Sequence, residues 1–282
     1  MKIFNLEKYI KILFNFGFFA FIFTLLSRFR FNFNIEIKNQ KKTNELFNLL
    51  KIYQTNYKLL KIGNNNDGTY IVPNILDKIN YCFSIGVGDT ITFERFLYKK
   101  YKIKSFLADN TISGEIARNK EGLFYIKKNL SINNNKKNIT LRNLLNTCLL
   151  KKDQKNLLLQ ADIEGDENYI IHRLNDKLLN KFSIIIFEFH FLSIISSNKG
   201  FERLLKIFKK IKKNFTIVYI HPNNVFTPFK VNGKSIPCLA EITFLNNRLI
   251  KHKKLFNPKQ LFNFKNSNKY RQIKLDQFHF ID

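Results

Sequence analysis

Short apolar runs alternate with amphipathic stretches along most of this chain, and the alternation predicts its secondary structure. The apolar runs of strand length cover residues 81–85, 105–108, 122–130, 157–161, 182–189, 215–220 and 239–245. Apolar residues at helical spacing cover residues 44–58, 93–101, 140–149, 167–174 and 201–211. Strands that alternate with helices are typical of an α/β fold, in which helices cover both faces of a mainly parallel sheet.

The first apolar run, residues 12–26 (ILFNFGFFAFIFTLL), has basic residues on both sides. A helix spans a bilayer with about 20 apolar residues, and an extension to residues 10–29 brings this run near that length. A short membrane anchor, a helix in the plane of the membrane surface and a helix packed on the domain all remain open. We predict an N-terminal apolar helix with a basic linker over residues 1–42, and one folded domain over residues 43–282.

Charge and cysteine content narrow the choice of partners and compartment. The 282 residues include 48 Lys and Arg against 21 Asp and Glu, which gives a net charge of +27. Such a charge favours an anionic partner, but Lys far outnumbers Arg, whereas nucleic-acid surfaces use Arg forks and stacked aromatic residues. We therefore expect no nucleic-acid partner. Three distant cysteines without a CxxC pair indicate neither a zinc site nor a disulfide framework, so we predict a cytoplasmic domain.

Glycines and an acid follow the first two strands of the predicted sheet. Ligands of open α/β sheets bind beyond the carboxyl ends of the strands. Residues 84–89 (SIGVGD) place Gly86 and Gly88 there, where glycine lets a ligand approach the backbone, although Ile91 replaces the third glycine of a dinucleotide fingerprint. Asp109 ends the next strand, where an acid can bind the ribose hydroxyls of an adenosine cofactor. A tight turn and a helix cap are the structural alternatives.

More acids and a histidine follow the next two strands. Asp162 and Glu164 come directly after the strand at 157–161. They can take a proton from a substrate, bind a metal, orient a cationic cofactor or simply cap the next helix. Glu188 and His190 end the strand that follows, and they share one of its faces because side chains alternate along a strand. These four residues are candidates for the site.

His221, Asn223 and Asn224 follow the strand at residues 215–220 and can reach the same cleft. His221, like His190 and Asp162, is a candidate catalytic base, and the two asparagines are candidate substrate ligands. A divalent metal held by Asp162, Glu188 and His190 is a less favoured version of the site, so the preferred prediction contains no metal.

These motifs, in this order, resemble the FkbM-like family of S-adenosylmethionine-dependent methyltransferases. The resemblance covers residues 61–245 and is carried by SIGVGD (84–89), Asp109, LLLQADIEGDE (157–167), IIIFEFH (184–190) and IHPNN (220–224). It implies a Rossmann-like, mainly parallel sheet of about seven strands, and methyl transfer to an oxygen of a sugar or related small metabolite. The apolar N-terminal segment and the strong basicity depart from the family pattern and leave the substrate open.

The resemblance also implies roles for individual residues. Gly86, Gly88 and Asp89 would line the methionine side of S-adenosylmethionine, and Asp109 would bind its ribose. Asp162 would face the methyl group.

On the substrate side, the resemblance implies Glu164 and, more weakly, Glu188, His190 and His221. Two alternatives of other classes remain open. The same strand, glycine turn and acid can hold a dinucleotide in an NAD(P)-dependent oxidoreductase, and the basic chain can be a non-catalytic membrane-associated module. For the methyltransferase as well as for such a module, residues 10–29 are the candidate contact with a membrane. The sequence leaves the oligomeric state open.

Overall fold

The computed structural model describes residues 6–88, 90–112, 121–257, 262, 264–275, 278 and 280. Its helices are α1 (Leu6–Phe16), α2 (Phe18–Arg28), α3 (Gln40–Leu49), α4 (Thr92–Tyr101), α5 (Leu141–Cys148), α6 (Glu167–Arg173), α7 (Asp176–Leu179) and α8 (Asn198–Lys212). The first eight strands are β1 (Asn34–Ile35), β2 (Tyr53–Thr55), β3 (Leu59–Ile62), β4 (Tyr70–Pro73), β5 (Tyr81–Ile85), β6 (Lys104–Ala108), β7 (Leu123–Ile126) and β8 (Asn129–Leu130). The other eight are β9 (Asn138–Ile139), β10 (Leu157–Ala161), β11 (Phe182–Phe189), β12 (Phe215–Pro222), β13 (Phe229–Val231), β14 (Lys234–Ile236), β15 (Ala240–Asn246) and β16 (Lys253–Leu255).

A seven-stranded sheet forms the centre of the molecule, with the order β7-β6-β5-β10-β11-β15-β12. Strands β5, β6, β7, β10 and β11 are parallel, and β15 runs antiparallel to both β11 and β12. The structure thus confirms the predicted α/β fold with a mainly parallel sheet. The chain moves outward from β5 to β7 and then returns to β10 on the other side of β5. Such a reversal opens a crevice between the carboxyl ends of the two central strands.

The central strands and their helices form because their apolar residues fit a two-sided core. Every residue of β10 and β11 is buried, as expected for parallel strands covered on both faces, and every residue of the edge strand β12 is buried as well. Helix α8 covers one face with Phe208, whose ring stacks on that of Phe189 at a centroid distance of 5.0 Å. Its lysines lie on the opposite, solvated face. The predicted positions of the central strands therefore follow from local apolar patterning.

The N-terminal segment folds as two helices instead of the single apolar helix that its sequence predicts. Gly17, at a φ of 90°, separates α1 from α2. Helix α2 buries Ala20, Thr24 and Ser27, and the Thr24 hydroxyl lies 2.6 Å from that of Ser193. Across the residues that the structure describes, no helix combines the length and the apolar character that crossing a membrane requires.

The remaining N-terminal residues also pack with the rest of the chain. Strand β1, inside the predicted linker, pairs in parallel with β13. Helix α3 begins after Asn39, whose side chain caps it, and it ends at Leu49. The predicted helix over residues 44–58 is therefore too long, because β2 follows and pairs with the distant β16.

Candidate functional site

A cavity of about 740 Å³ opens at the carboxyl ends of β5, β10 and β11. Its walls come from the turn after β5, the loop after β10, the end of β11, the loop between β3 and β4, helices α1 and α2, and residues 266–270. The volume lies within the range of about 300–1,000 Å³ that small-molecule sites occupy. The cavity also coincides with the crevice where open α/β sheets bind ligands.

Gly86 lies in the cavity wall directly against the loop after β10. Its φ is +69°, and a Cβ atom at this position would lie 1.8 Å from the carbonyl oxygen of Asp162. Gly88 has a φ of +61°, but a Cβ atom there would meet nothing within 4 Å. The two glycines therefore differ: Gly86 allows a close backbone contact, whereas Gly88 leaves open space in the wall. Asp89 lies outside the described residues.

Asp109 lies behind the glycine turn, outside the set of described residues that line the cavity. Its Oδ1 atom accepts hydrogen bonds from the backbone N–H and the hydroxyl of Thr111, at 2.7 and 2.6 Å. Its Oδ2 atom is 3.5 Å from the backbone nitrogen of Gly88. The structure therefore brings Gly86 and Asp162 together in the wall and places Asp109 next to the same turn.

His190 is surrounded by carboxylates. Its Nδ1 atom is 3.3 Å from Glu167 Oε1, and its Nε2 atom is 3.7 Å from Asp162 Oδ1 and 3.8 Å from Glu188 Oε2. Burial of the ring lowers the pKa of His190, but Glu188, Glu167 and Asp162 outweigh burial and raise this pKa to about 9. These surroundings favour the imidazolium, which donates a proton instead of accepting one. Asp162 and Glu188 are thus better placed than His190 to accept a proton.

The predicted substrate ligands separate into two groups. Glu188 and Asn223 line the cavity, and the Asn223 amide donates a hydrogen bond to Glu188 Oε1 at 2.8 Å. Glu164 also lines it and forms an ion pair with Lys8 of helix α1. Asn224, by contrast, holds the C-terminal segment, since its amide donates to the carbonyl oxygens of Ser267 and Tyr270.

His221 also supports the C-terminal segment instead of lining the cavity. Its ring stacks on Phe264 with centroids 3.6 Å apart, and its Nε2 atom is 2.8 Å from Asn266 Oδ1. Burial lowers the pKa of His221 to about 4, although the hydrogen bond to Asn266 opposes this shift. Asn266 lines the cavity. His221 therefore reaches the site only through a residue that it positions.

The sequence analysis did not assign a role to two residues of the site. Glu167, which appears there only as the last residue of the LLLQADIEGDE motif, is fully buried, accepts a hydrogen bond from the backbone N–H of Gly165 at 2.8 Å and contacts His190. Its place in the same motif as Asp162 and Glu164 is the signal that could have identified it. Lys8 comes from a helix far away in sequence, so no local pattern marks it.

Acidic side chains cluster at one part of the cavity although the chain is strongly basic. Burial first, and then the nearby carboxylates of Glu188, Asp67 and Asp162, raise the pKa of Glu241 well above its usual value. Asn266 donates a hydrogen bond to Glu241 at 2.6 Å. Carboxylates thus gather around one point in a protein of net charge +27, and this concentration favours a ligand that carries positive charge.

We compared the chain with family models, with curated proteins and with solved structures, and none of the three comparisons returned a match.

Proposed function

We propose that the cavity binds S-adenosylmethionine and that the protein transfers its methyl group to an oxygen of a small metabolite or glycan. One observation carries this proposal: Asp162 and Glu188 gather at the crevice between the central strands, next to the glycine turn at Gly86. A sulfonium is a cation without N–H donors. Buried carboxylates near its position therefore stabilise it through charge, not through hydrogen bonds.

The residues present fit this cofactor in three respects. The cavity, at about 740 Å³, has room for a nucleoside with an amino-acid arm and for part of a substrate. The open space beside Gly88 allows the arm to approach the backbone. Asp109 lies next to the same turn, at the end of β6, where an acid can bind ribose hydroxyls after its side chain turns from Thr111.

The side chains around the cavity suggest how the reaction would proceed. Bound S-adenosylmethionine supplies an electrophilic methyl group. Asp162 and Glu188 would stabilise the positive charge of the bound cofactor. Either carboxylate can also accept the proton that an acceptor hydroxyl loses as its oxygen gains the methyl group. Lys8 and Arg28 line the cavity on the side of helices α1 and α2. Positioning of the two reactants would contribute most of the rate enhancement.

The sheet order weighs against the oxidoreductase alternative. Dinucleotide-binding Rossmann folds have the strand order 3-2-1-4-5-6. Numbered along the chain, this sheet has the order 3-2-1-4-5-7-6, because the antiparallel β15 lies between β11 and β12. Ile91 also replaces the third glycine of the dinucleotide fingerprint. Both observations support S-adenosylmethionine over a dinucleotide.

Replacement of Asp109 tests the cofactor. We expect the purified protein to bind S-adenosylmethionine in calorimetry, and Asp109→Ala to weaken binding by about 10- to 100-fold, because hydrogen bonds to a charged acceptor are lost. Asp176→Ala removes an exposed acid of α7 and should leave the affinity unchanged. If the protein binds NAD(P)H and does not bind S-adenosylmethionine, the oxidoreductase would replace the methyltransferase as the assignment.

Helices α1 and α2, which contribute to the cavity wall, also carry exposed aromatic residues, and these suggest where the substrate is found. Phe14, Phe18 and Phe19 lie on both sides of the Gly17 break, with exposed fractions of 82, 62 and 67%. The opposite face of helix α1, which carries Tyr9, Ile12 and Phe16, is nevertheless buried. Exposed aromatic clusters mark interaction surfaces, and the basic chain is complementary to anionic lipid. We infer that Phe14, Phe18 and Phe19 contact the surface of an anionic membrane, and that the cavity receives a lipid-linked or membrane-proximal acceptor.

Vesicle binding checks this inference. The protein should co-sediment with phosphatidylglycerol-containing vesicles, and joint replacement of Phe14, Phe18 and Phe19 by serine should reduce binding by at least about 100-fold, from lost apolar burial. Leu150→Ser removes an equally exposed apolar side chain elsewhere and should bind as the wild type does. If the wild-type protein does not bind the vesicles, lipid does not cover this surface. The same conclusion follows if the wild-type protein is a dimer and the triple variant is a monomer.

A further inference from the structure

We propose that Asp162, Glu188 and His190 bind one divalent metal ion in the wall of the cavity. One oxygen of each acid and one ring nitrogen lie within 4.8 Å of one another. The Nε2 atom of His190 is 3.7 Å from Asp162 and 3.8 Å from Glu188. Ligands about 2.1 Å from a common ion are about 3.0–3.5 Å apart, so the site would form if the two distances from His190 Nε2 shortened by a few tenths of an ångström and the two carboxylate oxygens moved towards each other.

The imidazole of His190 is oriented as a metal ligand requires. Its Nδ1 atom lies 3.3 Å from Glu167 Oε1 and 3.2 Å from the carbonyl oxygen of Glu188, and both partners are hydrogen-bond acceptors. The Nδ1 atom therefore carries hydrogen, and Nε2 is turned towards Asp162 and the Glu188 carboxylate. Metal-bound histidines typically donate their second ring N–H to a carboxylate or carbonyl in this way.

Glu188 is held by a second partner as well. The side-chain amide of Asn223 donates a hydrogen bond to Glu188 Oε1 at 2.8 Å, and Asn223 Oδ1 accepts one from the backbone N–H of Val225 at 3.0 Å. The other oxygen, Oε2, is the one that faces His190. Supporting hydrogen bonds of this kind orient ligand carboxylates in metal sites.

Burial and charge both favour a cation between these groups. The side chains of Asp162, Glu188 and His190 are 10, 6 and 8% exposed. Glu241 lies opposite Glu188 on the neighbouring strand β15, so a further acid is close to this cluster. Without a proton or a metal ion, Nε2 would direct its lone pair at two carboxylates. Buried carboxylates are normally paired or coordinate a metal, and two oxygens with one imidazole suit Mn²⁺ or Zn²⁺.

The three ligands line the cavity, so the remaining coordination positions would face a bound molecule. A metal ion there can bind the acceptor hydroxyl and lower its pKa, which prepares the oxygen for methylation. This role rests on the proposed function, whereas binding of the ion does not.

Manganese binding tests the site directly. Full-length protein treated with a chelator and then dialysed should bind one Mn²⁺ per chain, as measured by electron paramagnetic resonance of free and bound ion. His190→Gln and Glu188→Gln should each weaken binding by at least about 100-fold. Glu167→Gln, which only loosens the orientation of His190, should weaken it by about 10- to 100-fold.

Matched controls come from the same region. His221→Gln changes a buried histidine of β12, and Glu94→Gln changes a buried carboxylate in the same cavity, so both should keep wild-type affinity. Pulsed resonance should detect an imidazole nitrogen coupled to Mn²⁺ in the wild type and not in His190→Gln. Thermal unfolding confirms that each variant is folded, and if His190→Gln is not, Glu188→Gln decides.

Two results would overturn the proposal: a wild-type protein that binds neither Mn²⁺ nor Zn²⁺, or an ion whose affinity none of the ligand variants changes. Calorimetry with S-adenosylmethionine separates this outcome from failure of the proposed function. Metal binding without cofactor binding would leave the metal site standing and reject methyl transfer.

Discussion

Replacement of Gly86 by alanine should disrupt the crevice and lower the free energy of unfolding by about 4 kcal/mol or more. The new Cβ atom would lie 1.8 Å from the carbonyl oxygen of Asp162, and backbone cannot move aside as a flexible side chain can. The residue also has a φ of +69°, which costs an L-residue about 1–2 kcal/mol by itself. Effects above about 4 kcal/mol are rare for single substitutions and need a specific cause such as this overlap.

Gly88→Ala is the matched control for that substitution. Gly88 has a similar φ of +61° in the same turn, but a Cβ atom there has open space around it. The variant should therefore lose only about 1–2 kcal/mol. Urea denaturation of the two variants measures the difference. Equal losses would mean that the close contact between the turn after β5 and the loop after β10 does not exist in solution.

Acid should destabilise the protein through His221, by about 3 kcal/mol between pH 7 and pH 4. Burial lowers the pKa of this histidine from 6.5 to about 4 in the folded protein. Above pH 6.5 the ring is neutral in both states, and between the two pKa values only the unfolded chain takes the proton. The stability that the neutral ring contributes is therefore lost as the pH falls, at about 1.4 kcal/mol per unit of pKa difference.

His221→Gln isolates this contribution from those of other titrating groups. The free energy of unfolding of the variant should fall less steeply between pH 6.5 and pH 4, so that the gap between the two proteins changes by about 3 kcal/mol across this window. Parallel pH profiles would show that His221 is not buried against Phe264 and Asn266.

Local patterning predicted the centre of the fold well, because buried strands need apolar residues at nearly every position. Strands β5, β10 and β11 occupy the predicted residues 81–85, 157–161 and 182–189. The same patterning placed Gly86, Asp162 and His190 at one edge of the sheet, because parallel strands end on the same side.

Features that depend on distant parts of the chain could not be predicted in this way. Helix α3 ends at Leu49 because β2 pairs with β16, about two hundred residues away. His221 lies beside Phe264 and Asn266, two residues outside the helices and strands that the structure describes. The ion pair between Lys8 and Glu164 depends on how α1 folds back over the domain. Packing of this kind leaves no periodic pattern in the sequence.

A crystal structure with S-adenosylhomocysteine tests the central claim most directly, because it locates the cofactor without requiring the acceptor. The account predicts electron density for the ligand inside the cavity, with its sulfur next to Asp162, its amino-acid arm along the turn at Gly86 and Gly88, and its ribose at Asp109. Density for the ligand at any other place, or a cavity that stays free of it at saturating concentration, would contradict the account.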